Sequence, residues 1–330
     1  MPSIPSSAES ILSKTLSHTP YDGSSKPFAI GLKPLDLHDW IEPDHLLHDH
    51  LAEKRRLIAE IRDKVYVEEP GTEAAQREVL DTLLAHLLER HGDVYRLKRD
   101  GGTGAAAIEI AGSDATVPIG PDITSPLLTA ALLVQEDLVL MRRDETGWRL
   151  VAASLSFPSS WVLTEKFGKP MQEIHRPVPA FGPGTRIATL IERIFDNLAV
   201  EMPVQRYNWT LQAGEALYHP LSNEERDERA ATRPSRFAGD ENFATAFMRV
   251  ERQTLRKLPV SGDILFTIRI HLDPLGVLAR QPDRAQLAQG FAEQLAGLDE
   301  AQLDYKGLTA DRDRLIAYLR ALAMDEAMAD

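Results

Sequence analysis

The feature that most constrains this chain is a long hairpin in its last third. Ala244 to Leu258, a turn at Pro259-Val-Ser-Gly262, and Ile264 to Leu272 read as two paired strands. In the second strand Ile264, Phe266, Ile268 and Ile270 share one face, and Leu265, Thr267, Arg269 and His271 share the other, because side chains alternate across a strand. A second hairpin is expected upstream, where Leu138 to Arg143 and Trp148 to Ser156 flank the turn Asp144-Glu-Thr-Gly147. Ala106 to Ala111 is a short strand candidate.

Helical spacing surrounds these strands. Leu46 to Tyr66 carries Leu57, Ile58, Ile61 and Val65 on one stripe, and Thr72 to His91 carries Val79, Leu80, Leu83, Leu84, Leu87 and Leu88. Thr72 suits the N-cap of that helix and Gly92 its stop. Thr185 to Val200, Arg284 to Leu298 and Ala310 to Met328 complete the helical set. Antiparallel hairpins flanked by helices predict an α+β fold, not a doubly wound parallel sheet. Residues 1–25, rich in Ser and Pro, read as a mobile lead-in without the pattern of a signal peptide. Residues 26–330 read as one domain, with Phe28 to Leu35 and Trp40 docking on its core.

Composition removes whole classes of chemistry. The chain has no cysteine, which excludes disulfides, iron–sulfur clusters and thiolate-ligated haem and suits a reducing compartment such as the cytoplasm. Its net charge of -13 would repel a nucleic-acid backbone. Its longest apolar stretch, Pro126 to Val134, is too short to span a bilayer. Gly102-Thr-Gly104 precedes a strand, where no pyrophosphate loop would sit, so no nucleotide site is expected. His45, His48 and His50 read as a solvated helix start. The serines at 154, 156, 159 and 160 lack a nucleophile elbow.

The informative stretch runs from Leu155 to Pro179. It leaves a strand, passes Phe157-Pro-Ser-Ser-Trp161, and stops a short helix at His175, beside Pro177 and Pro179. The prolines stiffen the chain and fix where His175 points. A neutral imidazole so held is a good axial ligand for haem iron, with Phe157, Trp161 and Phe181 able to cover a flat macrocycle. The plain alternative is a hydrogen-bonded loop histidine among core aromatics.

Several motifs, taken in order, resemble the haem-dependent oxidative N-demethylase alpha-subunit family. They are Phe28 to Leu35 with Trp40, Phe157 to Trp161, Glu165-Lys-Phe-Gly168 and Glu173-Ile-His-Arg-Pro-Val-Pro179. Arg206-Tyr-Asn-Trp209, Leu217-Tyr-His-Pro220, Arg249 to Leu255, Leu258 to Gly262 and Phe266-Thr-Ile-Arg269 follow. The resemblance spans about residues 27–275. It implies a PAS-like antiparallel haem-binding sheet with added N- and C-terminal helices. It further implies oxygen-dependent removal of a methyl group from a small secondary amine, with release of formaldehyde. Electrons would come from separate reductase subunits.

On that reading His175 is the expected ligand to the iron of haem b, with His219 the second choice. Arg249, Arg252 and Arg269 are candidates for the propionates, and Arg269 also for a distal donor, although Arg249 and Arg252 alternate faces. The plain alternative for each arginine is a strand-face ion pair, for instance with Glu251. Trp161, Asn208 and Trp209 are candidate pocket residues. A haem-binding PAS-like sensor or carrier is the competing class, and assembly into a homo-oligomer is left open.

Overall fold

The computed structural model describes residues 16–101, 105–113 and 115–324. Seven strands form one sheet in the order β1-β8-β9-β10-β6-β7-β2, with every neighbouring pair antiparallel. They are β1 (Lys33–Pro34), β2 (Tyr66–Glu68), β6 (Asp137–Asp144), β7 (Gly147–Ser154), β8 (Val204–Ala213), β9 (Ala246–Lys257) and β10 (Ile264–Pro274). A separate three-stranded sheet joins β3 (Tyr95–Arg99), β4 (Ala106–Ile110) and β5 (Thr116–Pro118). The helices are α1 (Leu47–Val65), α2 (Glu73–Arg90), α3 (Pro126–Ala131), α4 (Leu163–Lys166), α5 (Met171–Ile174) and α6 (Arg186–Asn197). They continue with α7 (Asn223–Thr232), α8 (Arg284–Ala296), α9 (Glu300–Lys306) and α10 (Arg312–Met324). This is the α+β architecture that the hairpins predicted. Among the described residues no helix is long and apolar enough to cross a membrane.

Both predicted hairpins form, and their turns have clear causes. In β6–β7 the Asp144 carboxylate accepts from the Thr146 amide at 2.7 Å and its hydroxyl at 2.6 Å. Gly147 then takes φ 109°, a conformation a side chain would resist. In β9–β10 the carboxylate of Glu78 on α2 accepts from the amides of Val260 and Ser261 at 2.7 and 2.9 Å, which ties the turn to a helix far away in sequence. The strand β8, next to the edge strand β1, entered the sequence reading only as a motif, although Tyr207, Trp209 and Leu211 alternate onto one apolar face.

Three apolar clusters hold the layers together. One packs α2, with Val79, Leu80, Leu83 and Leu87, against β6 and the three-stranded sheet. A second packs α8 and α10 against Trp209, Met248 and Val250 on one face of the main sheet. The third fills the other face, between β6, β7, β9, β10 and α6. Burying an aliphatic or aromatic side chain contributes roughly 1.5–3 kcal/mol, so these clusters dominate the favourable side of folding.

Three expectations differ from the structure. Thr72 stands at the N-cap of α2, but its hydroxyl donates to the Glu69 carbonyl at 2.6 Å and caps no amide. From Leu16 on, the lead-in is packed: Tyr21 is fully buried and stacks on Phe291 at 4.5 Å. Gln294 holds the carbonyls of Pro20 and Ser25 at 3.1 and 2.9 Å. The first 15 residues of that lead-in, the Gly102–Gly104 part of the rejected nucleotide loop and the end of the last helix beyond Met324 lie outside the described residues. His50 is no solvated helix-start residue. It is 6% exposed, and its Nδ1 accepts from Gln135 at 3.1 Å and Arg269 at 3.2 Å.

Candidate functional site

A cavity of about 210 Å³ opens between one face of the sheet and the segment running from Ser159 to Phe181. The floor is made by alternate residues of neighbouring strands: Val139 and Met141, Leu150, Arg206 and Asn208, Glu251 and Gln253, Phe266 and Ile268. The register explains the grouping, since Asn208 lies opposite Glu251 and Phe266 opposite both Leu255 and Val139. The roof carries Trp161, Lys166, Met171, His175 and Phe181, with Ile191 and Phe195 of α6 closing one side and Tyr305 of α9 another. A single water needs ~15 Å³, so this is room for a ligand.

The roof begins at a rigid anchor. Buried Asp137, first residue of β6, accepts from the amides of Ser156 and Phe157 at 2.8 Å each. Arg249 of β9 clamps the next turn of chain, donating to the carbonyls of Phe157 (2.8 Å), Pro158 (3.2 Å) and Leu217 (3.1 Å) and to the Ser159 hydroxyl (2.7 Å). Ser160 adopts φ 60°, an uncommon backbone state for a residue with a side chain. It is held there because its amide donates to the His219 carbonyl at 2.9 Å and its carbonyl accepts from Arg226 at 2.6 Å. The chain therefore delivers Trp161 and Lys166 to the cavity from a braced turn.

His175 caps the C-terminus of α5. Its Nδ1 lies 3.0 Å from the Met171 carbonyl oxygen, which also accepts the His175 backbone amide at 3.0 Å. A carbonyl can only accept, so the ring proton sits on Nδ1 and Nε2 carries the lone pair. Burial, with help from the Lys166 charge, pushes the imidazole down to about 4, so the ring is neutral at pH 7.

The cavity has an excess of positive charge at one end. Among the described residues no carboxylate lies within ion-pair reach of Lys166 or Arg206. Burial pushes Lys166 down to about 7, and the neighbouring Arg226 adds to the effect. The ammonium sits 4.2 Å from the centre of the Trp161 ring. Burial also lowers Arg206, whose Nε is buried without a hydrogen-bond partner. Lys306 just behind is likewise pushed down to about 7 by burial. Glu251 is the one carboxylate among the described cavity residues; it accepts from Gln253 at 2.7 Å. Lys166 and Arg206, half-buried basic groups without an ion-pair partner among the described residues and with Glu251 acting on both from a distance, suit an anionic ligand.

The structure brings together His175, Trp161, Phe181 and Asn208 at the cavity and places the other candidates, Phe157 among them, elsewhere. Arg249 shares the floor's strand face, but its guanidinium is consumed by the roof segment and Gln212. His219 pairs through its backbone with Ser159 and Ser160 and does not line the cavity. Trp209, Arg252 and Arg269 point to the opposite face, as strand alternation requires. Trp209 donates to Gln294 at 2.7 Å and packs on Phe291. Arg252 and Arg269 are direct cross-strand partners, a repulsive pairing that each relieves on a separate acid. Arg252 meets Glu42 at 3.2 Å and Arg269 meets Asp44 at 2.8 Å. Glu251 is adjacent to Arg252 in sequence and so faces the other way. Among the ionisable cavity residues, sequence reasoning assigned no site role to Lys166, Arg206 and Tyr305, and considered Glu251 only as an ion-pair partner of the strand arginines. Lys166 and Arg206 stand inside the family-like motifs, so those motifs were the available signal.

Residues 31–316 match the family model described as haem-dependent oxidative N-demethylase, alpha subunit-like. That match takes in the sheet, the roof segment and α8 and α9, and the chain belongs to this family.

Proposed function

We propose that the cavity is a haem site and that this chain is the haem-bearing subunit of an oxidative N-demethylase. It acts on a small secondary methylated amine and releases formaldehyde, with electrons drawn from reductase subunits on other chains. The observation that carries this reading is one apolar cavity that holds both a neutral histidine, its Nε2 lone pair free, and the two cations Lys166 and Arg206. The residues fit the group. A haem would be held by a protein ligand such as a neutral imidazole, apolar walls for the macrocycle and, usually, cations for its propionates. With no cysteine in the chain, a thiolate ligand and thioether bonds are excluded, and His175 is the residue of choice to hold a haem of b type.

When bound, haem iron supplies the oxygen-dependent oxidation of the methyl carbon. The chain's own residues do the rest. The Met171 carbonyl fixes the ring plane of His175 and raises the basicity of Nε2. Lys166 and Arg206 neutralise the propionates. Glu251 accepts the N–H of the protonated amine, and Asn208 opposite it orients the same group. Phe181 and Phe266 supply aromatic walls that favour a small organic cation, while the Trp161 ring holds the Lys166 ammonium. The apolar residues of α6 and the floor exclude water, which strengthens each of these charge interactions. A PAS-like sheet and a cytoplasmic location are parts of the same proposal.

The test is the visible spectrum of protein produced with ample haem precursor, followed by amine turnover with a reductase added. A Soret band that moves on reduction and again with carbon monoxide, together with formaldehyde from a methylated amine, is the expected result. A responsive Soret band without turnover of any methylated amine would favour a haem sensor or carrier. A flat spectrum from folded, haem-supplied protein would end the haem reading altogether.

A further inference from the structure

On the face of the sheet away from the cavity, two histidines and a glutamate converge. His18 comes from the N-terminal segment, Glu42 from the loop before α1, and His271 from β10. One ligand atom from each lies within 4.8 Å of the others. Glu42 Oε2 sits 2.9 Å from His18 Nε2 and 3.6 Å from His271 Nε2. The two rings meet edge-on with centroids 4.8 Å apart.

Hydrogen bonding alone does not account for this cluster. The His18–Glu42 contact is a good bond, but His271 Nε2 is buried and has no hydrogen-bond partner. The His271 side chain is only 8% exposed. If Nε2 is protonated, its donor goes unused at 3.6 Å; if it is bare, a lone pair faces a carboxylate. Buried nitrogen and oxygen atoms are rarely left in either condition. A cation between the three atoms resolves both cases at once. Imidazole and carboxylate are the donors that borderline divalent metals take when no thiolate is present. Four-coordinate zinc with bonds of about 2.0–2.1 Å separates its ligand atoms by roughly 3.3 Å. Two of the three separations, 2.9 and 3.6 Å, bracket that value, and the third lies within 4.8 Å, so closing on a metal draws the two imidazole nitrogens together by at most about 1.5 Å.

The surroundings fit an outer shell. Arg252 Nε lies 3.2 Å from Glu42 Oε1, which orients the carboxylate and leaves Oε2 toward the histidines. Tyr207 lies against the His18 ring at 4.8 Å. The Arg252 charge lowers the affinity relative to an arginine-free site, but it also holds Glu42 ionised.

We propose that His18, Glu42 and His271 form a binding site for one divalent transition metal of the zinc class, separate from the cavity, that fastens the N-terminal segment to β10. The site has three protein ligands and a fourth position for water. Its consequence is structural: bound metal stabilises the folded chain by mass action.

The experiment titrates chelator-treated, tag-free, full-length protein with zinc chloride by calorimetry and follows thermal unfolding in parallel. Wild type is expected to bind one more zinc than either His18→Gln or His271→Gln, and to gain several degrees in Tm that neither variant gains. His18 sits on a peripheral segment, so His18→Gln tests the site even if His271→Gln disturbs the sheet. The Soret intensity of haem-supplied protein should be the same in wild type and His18→Gln, which separates this site from the haem proposal. Equal zinc stoichiometry in wild type and His18→Gln, or zinc binding without any Tm gain, overturns it.

Discussion

Met171 and His175 are joined twice through one oxygen: the Met171 carbonyl accepts both the backbone amide and the ring Nδ1–H of His175, each at 3.0 Å. The first bond ends α5 and the second sets the tautomer of the ring. A four-residue helix thereby aims an imidazole at the cavity with its proton on the far side.

Replacing His175 by Gly should abolish the Soret band while leaving the far-ultraviolet circular dichroism unchanged. Millimolar imidazole should restore part of the band by filling the vacated space. Full haem content in the variant, with unaltered spectra, would move the axial ligand elsewhere.

Lys166→Met and Arg206→Leu each remove a cation from the propionate end. A hydrogen bond to a charged group contributes about 1.5–3 kcal/mol, so haem affinity should fall roughly tenfold to a hundredfold per variant. Haem transfer to apomyoglobin measures this. Glu251→Gln should leave haem retention near wild type and raise KM for the amine; unchanged KM would remove Glu251 from substrate binding.

Arg249 donates to three carbonyls, a hydroxyl and Gln212. Arg249→Met should leave those buried acceptors unpaired and cost about 3 kcal/mol or more, read as a lowered urea midpoint. The roof segment should also become accessible to protease near Ser159. A variant as stable as wild type would show that the clamp is redundant.

His50 gives a pH dependence with a definite sign. Burial, and then the charge of Arg269, push its imidazole down to about 3 in the folded protein, against about 6.5 when unfolded. Between those values the unfolded chain binds more protons, so stability falls as pH drops below 6.5. The loss is about 1.4 kcal/mol per pH unit, or roughly 2 kcal/mol between pH 6.5 and 5. His50→Asn should lose that much of the slope in urea titrations at the two pH values. An identical slope would mean that His50 is protonated in the fold.

The sequence alone determined the period-two hairpins, the helical stripes of α1, α2 and α6, and hence the α+β class, because each is a local pattern repeating every two or 3.6 residues. It also pointed to the Leu155–Pro179 segment and to His175, since Pro177 and Pro179 stiffen the chain wherever it packs. It could say that Arg249 and Arg252 face opposite ways, but not which face holds the cavity. That was decided by the order of strands in the sheet and by what covers each side: α8 and α10 over Trp209, and the roof segment over Asn208 and Glu251. The same tertiary pairing placed Arg252 and Arg269 on Glu42 and Asp44, more than 200 residues away along the chain, and left Lys166 and Arg206 without an ion-pair partner among the described residues. Charge balance in a buried site depends on which distant elements meet, and no local pattern in the chain carries that information.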